Sequence, residues 1–218
     1  MIATVCTTCI TIPGIRIQNE TIYMLKKILI PLTALLFLAN LTGCATPSNT
    51  LAIQPKIALP SADPTMKAIT ISISGVDQRQ SQALAQVNRD AKLVTLLPSR
   101  DLRFLLQEAL EKQMVARGYM IGSPANANLQ VVVNQLYANV KEGSLRHDIS
   151  AKAEISVIVY AQDGSKQIKN YRTSYNVQAP LSATNAKIAD AVNTVLSDVI
   201  ADMAQDSSIS TFIKQNVR

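Results

Sequence analysis

From Lys67 to Val76 the chain reads "KAITISISGV", with Ile69, Ile71 and Ile73 alternating against Thr70, Ser72 and Ser74. A period of two sends alternate side chains to opposite faces, so the stretch is expected to form a half-buried strand. The polar run "DQRQSQALAQVNRD" reads as a long loop, and "KLVTLLP" at 92–98 as a second, short strand. After Pro98 the period changes. Leu102, Leu105, Leu106, Ala109, Leu110 and Met114 recur at three- and four-residue spacing until Gly118, predicting a helix over about 99–117 with Ser99 as its cap and Asp101 near its positive end. Ile188, Val192, Val195, Leu196, Val199 and Met203 predict a second helix over about 185–205, capped by Ser182 or Thr184. A short terminal turn then packs Ile209, Phe212 and Ile213 back onto the core.

Between the helices, Leu145, His147, Ile149, Ala151, Ala153, Ile155, Val157 and Val159 occupy one face of a very long strand, and Arg146, Asp148, Ser150, Lys152, Glu154 and Ser156 the other. A two-residue loop at Asp163-Gly164 would set Arg172 opposite Ile155 and Asn176 opposite Ala151, burying polar groups. A three-residue loop, Gln162-Asp163-Gly164, instead sets Tyr171 opposite Ile155, Tyr175 opposite Ala151 and Val177 opposite Ile149, with glycine at the left-handed position. On the other side a Lys141-Glu142-Gly143 loop aligns Leu129, Val131, Val133 and Tyr137 with Ile155, Ala153, Ala151 and His147. The expected fold is α+β: a two-layer sandwich with a mixed sheet, a three-stranded antiparallel meander over about 129–178, and two amphipathic helices packed on one face.

Ahead of this domain, residues 45–66 hold four of the nine prolines. They read either as a stiff extended tether or, through Ile53, Ile57 and Leu59, as a docked edge strand. Further upstream, Lys26 and Lys27 precede a twelve-residue apolar stretch, Ile28 to Ala39, and then the small residues Thr42 and Gly43. That is the three-part pattern of a secretory signal, and it falls short of the roughly 20 residues a spanning helix needs. Residues 1–23 are uncharged enough and aperiodic enough to read as an extension ahead of the true start at Met24. The Cys6-Thr-Thr-Cys9 pair falls in it and lacks a second ligand pair. The expected organisation is thus an extension at 1–23, a signal at 24–43, a tether at 44–66 and one exported domain at 67–218.

Leu41-Thr42-Gly43-Cys44 resembles the bacterial lipobox, an ordinary signal sequence ending in a cysteine being the alternative. The resemblance implies cleavage between Gly43 and Cys44 and acylation of Cys44 by chains such as palmitate. Ala45, by the same analogy, favours the outer membrane. Each buried methylene contributes about 0.8 kcal/mol, so the three chains implied would anchor almost permanently.

Composition changes this picture little. The chain carries a net +6. Removing residues 1–43 takes three basic residues and one acidic one, leaving +4, with cations scattered from Lys56 to Arg218. Without clustering or interleaved aromatics, nucleic-acid binding is not expected. Once Cys44 is lipidated no thiol remains for a disulfide, and the core must hold the fold.

Candidate chemistry is sparse. His147 is the single histidine, placed on the apolar face opposite Tyr137 and read as structural. HExxH, GxSxG and GxGxxG are lacking, so no metal, cofactor or acyl-enzyme chemistry is expected. Asp198 and Asp202, four apart on a helix, are the one carboxylate pair a hydrolase could use, and read more simply as a solvated face. Arg79, Arg89, Arg100 and Arg103, near the first helix, are candidate anion-binding residues. If both helices cover one sheet face, the face bearing Ser150, Lys152, Glu154, Ser156, Ile158 and Tyr160 meets water or a partner.

The segments "GVDQR", "TLLPSRDLRFLLQEALEKQMVARGYMIG", "KNYRTSYNV" and "IADAVNTVLSDVIADMAQDSSISTFIKQN" resemble the YajG family of enterobacterial lipoproteins, a likeness running from Met24 to Arg218. It implies an outer-membrane lipoprotein facing the periplasm, with no catalytic residues to carry over. The expected partners are the membrane, through Cys44, and an envelope protein. A non-enzymatic binding or accessory module is the leading functional expectation, a carrier of lipid or peptidoglycan-derived ligand the second, and a carboxylate hydrolase the third.

Overall fold

The computed structural model describes residues 49–143, 146–180 and 183–217, so the leader, Gly43 and Cys44 lie outside the described residues. In chain order the elements are β1 (Thr50–Leu51), a 3-10 turn (Pro64–Met66), β2 (Thr70–Asp77), β3 (Ala85–Arg89), β4 (Lys92–Pro98), α1 (Leu102–Arg117), β5 (Met120–Ile121), β6 (Ala127–Glu142), β7 (Arg146–Ala161), β8 (Lys166–Pro180), α2 (Asn185–Gln205) and α3 (Ser208–Asn216). Five strands form the main sheet in the order β5-β2-β6-β7-β8, with β2 parallel to β5 and β6, and β6, β7 and β8 an antiparallel meander. β1, β4 and β3 form a small second sheet, joined to the first where the Ala138 N–H donates to Leu84 O at 2.6 Å. The helices pack on one side, α1 against β2 and β6, and α2 against β7 and β8. The protein is α+β, with its helices layered on a mixed sheet.

The helical stripes lie where their spacing places them: Leu102, Leu105, Leu106, Ala109, Leu110 and Met114 of α1, and Ile188, Val192, Val195, Leu196, Val199 and Met203 of α2, are buried. Gly118 ends α1 at φ 111°, a conformation only glycine adopts without strain. The cap of α1 is Asp101 rather than Ser99; its carboxylate accepts from the Arg103 N–H, while Ser99 Oγ accepts from the Ile53 N–H at 3.2 Å. Thr184 caps α2. The terminal turn is a nine-residue helix, α3, burying Ile209 and Ile213.

The β7–β8 register is the one a Gln162-Asp163-Gly164 loop dictates: Ile155 faces Tyr171, Ala151 faces Tyr175 and Ile149 faces Val177, and Gly164 has φ 88°. The β6–β7 register differs from expectation. Leu129 faces Val159 and Val133 faces Ile155, and Lys141 and Glu142 stay in the ladder opposite Asp148 and His147. A bulge at Asn134 absorbs one residue, which moves the buried positions of β6 from odd to even. Leu136 and Ala138 are consequently buried, and Tyr137 faces Lys152 on the opposite side. His147 therefore does not meet Tyr137; its neighbours across the sheet are Glu142 and Ala179.

One further expectation fails, and one left open between two readings is decided for docking. The polar run after β2 is not wholly loop, because residues 85–89 form β3 and turn into β4 through Asp90 and Ala91, both left-handed at φ 50° and 60°. That is the backbone of a tight hairpin without its usual Asn-Gly or Asp-Gly signal. Residues 50–63, part of the expected tether, are docked. Leu51 and Ile53 are wholly buried, and the strand is Thr50–Leu51 rather than 53–59. Polar side chains of the helices hold the rest: Asn193 bridges the Gln54 N–H and Ala52 O, Ser197 accepts from the Lys56 N–H, and Gln113 donates to Ala58 O. Proline removes backbone donors, and these side chains satisfy what remains, as a free tether would not require.

Candidate functional site

Three of the four candidate arginines come together. Arg79 follows β2, Arg100 precedes α1 and Arg103 lies in its first turn; with Asp77, Gln82, Leu97, Pro98, Asp101 and Leu102 they line a cleft of about 470 Å³. Arg89 is elsewhere, on Asn185 at the start of α2. Each arginine in the cleft has its own carboxylate. Arg79 is 5% exposed and bonds Asp77 through Nε and a terminal nitrogen, while its other nitrogen donates toward Leu136 O. Arg103 bonds Asp101 in the same way, and Arg100 reaches Glu108 at 2.9 Å. The Arg103 hydrogen bond, assisted by the charge of Arg79, holds the Asp101 carboxyl below its ordinary range, and the carboxylate raises Arg103 in return. Lys112 and then Arg100 hold Glu108 down. The guanidinium forks are already closed on carboxylates of their own segments, Arg79 also tying the end of β2 to β6 through Leu136 O, and an incoming anion would have to displace them.

Asp198 and Asp202 are exposed on the outer side of α2, and no group of three or more metal-ligating side chains occurs among the described residues. His147 is half-buried with Nδ1 unpartnered. Tyr171 and Tyr175 share the helix-side face, as the register requires, but differ in surroundings. Tyr171 is buried and its hydroxyl donates to Asp206 at 3.2 Å, burial and that carboxylate together pushing its ionisation up. Tyr175 is 38% exposed, near the sheet's edge.

The even-numbered face of β7 and β8 is the more open one, although Ser156 and its neighbour Val132 on it are buried. In the middle of it, Asn134 and Asn170 close on Ser156, the Asn134 amide donating at 2.5 Å and the Ser156 hydroxyl lying 2.6 Å from Asn170 Oδ1. Ser72 donates to Asn128 along the same face, and Arg172 pairs with Glu154 at 2.8 Å. Around these bonded polar groups stand exposed Tyr160 and Ile168, with Lys166 over the Tyr160 ring. Sequence reasoning located this face through the period of β7 but missed Asn134, whose place is set by the bulge. No helix among the described residues is long and apolar enough to cross a membrane.

Among solved structures, the chain resembles protein XCC0632 from Xanthomonas campestris, with a TM-score of 0.49 and 13% identity over 77% of this chain and 97% of that one. A minor lipoprotein from Acinetobacter baumannii gives a TM-score of 0.35 and 14% identity over 69% and 90%. The sequence matches are much stronger. A family described as uncharacterized lipoprotein matches residues 55–214. The uncharacterized lipoprotein YajG of Escherichia coli K12 is 58% identical over 195 residues, 89% of this chain and all of the relative, and that of strain O6:H1 matches to the same extent. On that identity and coverage, the chain belongs to this family of lipoproteins.

Proposed function

We propose that this lipoprotein is anchored in the outer membrane through acyl chains on Cys44, after cleavage behind Gly43, and that its periplasmic unit is a non-enzymatic binding or accessory module of an envelope complex. The observation that supports a docking role is the asymmetry of the meander. Helices seal one face, while the other presents a rigid lattice of hydrogen-bonded polar side chains with apolar residues between them, the composition of a non-obligate interface. A photo-crosslinker at Lys152 or Tyr160 in cells is expected to trap one discrete protein of a different mass. Only uncrosslinked chain from both positions would overturn the docking role. The anchor is tested separately: mass spectrometry of the amino-terminal peptide should find acylated Cys44, and Cys44→Ala should release the protein from membranes.

Ligand carriage between helices and sheet is not favoured. The side chains that would wall such a ligand, among them Leu106, Val133, Ile155 and Val195, pack into one cluster. Hydrolysis by Asp198 and Asp202 is likewise not favoured: Asp198 stands on the wall of a cleft of about 690 Å³ with Lys56, Asn193 and Ser197, but Asp202 is not part of that wall, so the two carboxylates do not face one bound substrate.

A further inference from the structure

β8 is the last strand of the main sheet and pairs with β7 alone. It runs fifteen residues, Lys166 to Pro180, in continuous register without a bulge. The Ala161 N–H donates to Ser165 O at 3.0 Å, which fixes the phase of the ladder. Odd residues of β8 therefore turn their N–H and C=O toward β7, and even residues turn theirs to the free edge. No described backbone group bonds to that edge; its one recorded contact is Lys187 Nζ near Pro180 O at 3.5 Å. The other end strands of the described sheets are shorter: β5 and β1 have two residues each and β3 five.

Long exposed edges are normally guarded by unpaired charge, bulges or interior prolines. Here the guard is absent. Proline stands only at the end, and the three cations of β8 are engaged within their own chain: Lys166 with the Tyr160 ring, Lys169 with Asp206 and Arg172 with Glu154. Those cations all lie in the first half of the strand, and residues 173–180 carry no charge.

We infer that β8 pairs antiparallel with β8 of a second copy about a two-fold axis at Thr173, joining two five-stranded sheets into one. Thr173 is the strand's midpoint, so this register gives the longest overlap. It also sets each basic half against the partner's neutral half: Arg172 faces the partner's Ser174, and Lys169 the partner's Val177. An axis one residue earlier would place Arg172 on Arg172, and a parallel arrangement would stack lysine on lysine, which like-charge repulsion opposes. The inference does not depend on what docks to the even face; it would make the two polar faces continuous.

The purified, acylated lipoprotein in detergent micelles is expected to have the mass of a dimer by native mass spectrometry. Under mild oxidation Thr173→Cys, on the axis, should link into a covalent dimer, and Asn170→Cys, off it, should not. Ser174→Pro removes an outward N–H without breaking a bond to β7, so it should leave the fold's circular dichroism intact and yield a monomer. A monomer at every concentration, equal linking by both cysteine variants, or linking of Thr173→Cys to a different protein would overturn the pairing. Because the Thr173→Cys result reads geometry directly, it decides the matter even if the proline variant unfolds.

Discussion

Odd and even residues of β7 share one backbone yet meet different surroundings. Ile149, Ala151, Ala153, Ile155, Val157 and Val159 are buried under helices, whereas Arg146, Asp148, Lys152 and Tyr160 are exposed and Ser150, Glu154 and Ile158 half-covered. Fully burying a valine or isoleucine contributes about 1.5–3 kcal/mol, so the odd face supplies the cohesion of the sheet–helix sandwich. The even face contributes hydrogen bonds that net far less, about 1 kcal/mol each. One surface is thus committed to holding the molecule together, and the other contributes little to that task.

The sharpest test of that division is a matched pair of truncations on adjacent strands. Ile155→Ala empties a fully enclosed site and should cost about 2–5 kcal/mol in urea denaturation. Ile168→Ala, at a residue 48% exposed on the even face, should change stability by no more than about 0.5 kcal/mol. Equal losses would mean that the even face is not open at all.

Gly75 sharpens the comparison from the helix side. A Cβ there would stand 2.2 Å from the Arg103 carbonyl oxygen, because β2 and α1 touch backbone to backbone. Gly75→Ala must push the first turn of α1 away and should cost about 1–3 kcal/mol by thermal unfolding, as overpacking does. An unchanged melting temperature would show that the helix layer sits more loosely on the sheet than the odd face implies.

These contacts also mark how far the sequence could be read. The helices, the Gly164 loop and the odd face of β7 were legible because period, glycine and register all pointed one way. The bulge at Asn134 was not: no residue type announces where a strand will absorb an extra position, yet it exchanges the faces of the residues from Leu136 to Lys141 and shifts their register against β7. β3 was hidden by a turn made of Asp90 and Ala91, in which aspartate tolerates the left-handed backbone but alanine stands where glycine would have announced the turn. Of the candidate arginines, proximity in sequence located three of four, but only the folded chain shows that each of the three is closed on a carboxylate. The sequence leaves the docking of the segment at 45–66 open between two readings because its partners, Asn193 and Ser197, look like ordinary solvated positions on a helix.

That segment yields a smaller effect. Gln113, almost wholly buried in α1, donates to Ala58 O at 3.1 Å and to Ile200 O at 2.7 Å, fastening residues 52–63 over the helices. Gln113→Met keeps the volume but leaves Ala58 O without that donor, and a loss of about 1 kcal/mol is expected. Amide hydrogen exchange in residues 52–63 should accelerate while β7 stays protected. Acceleration spread evenly through the sheet would mean that the segment is integral to the core rather than laid upon it.

The smallest effect concerns charge where the segment closes on the helix side. Asp63 caps the Pro64–Met66 turn and bonds Lys214 of α3 at 2.7 Å; the Lys214 hydrogen bond, followed by those of Thr65, holds its carboxyl down to about 2. A carboxylate whose folded pKa lies below its unfolded value adds stability above the unfolded value, near 3.8, and loses it as pH falls toward the folded one. The contribution should therefore be complete at pH 5 and vanish between about pH 4 and 2. Asp63→Asn removes it, so the gap in urea midpoint between wild type and variant should be narrow at pH 5, narrow further in molar salt and close by pH 2. Both groups are solvent-accessible, which keeps even the full gap below that of Gln113→Met. A gap at pH 5 as wide as that of Ile155→Ala would mean that charge rather than apolar packing seals the helical side, reversing the contrast between the two faces.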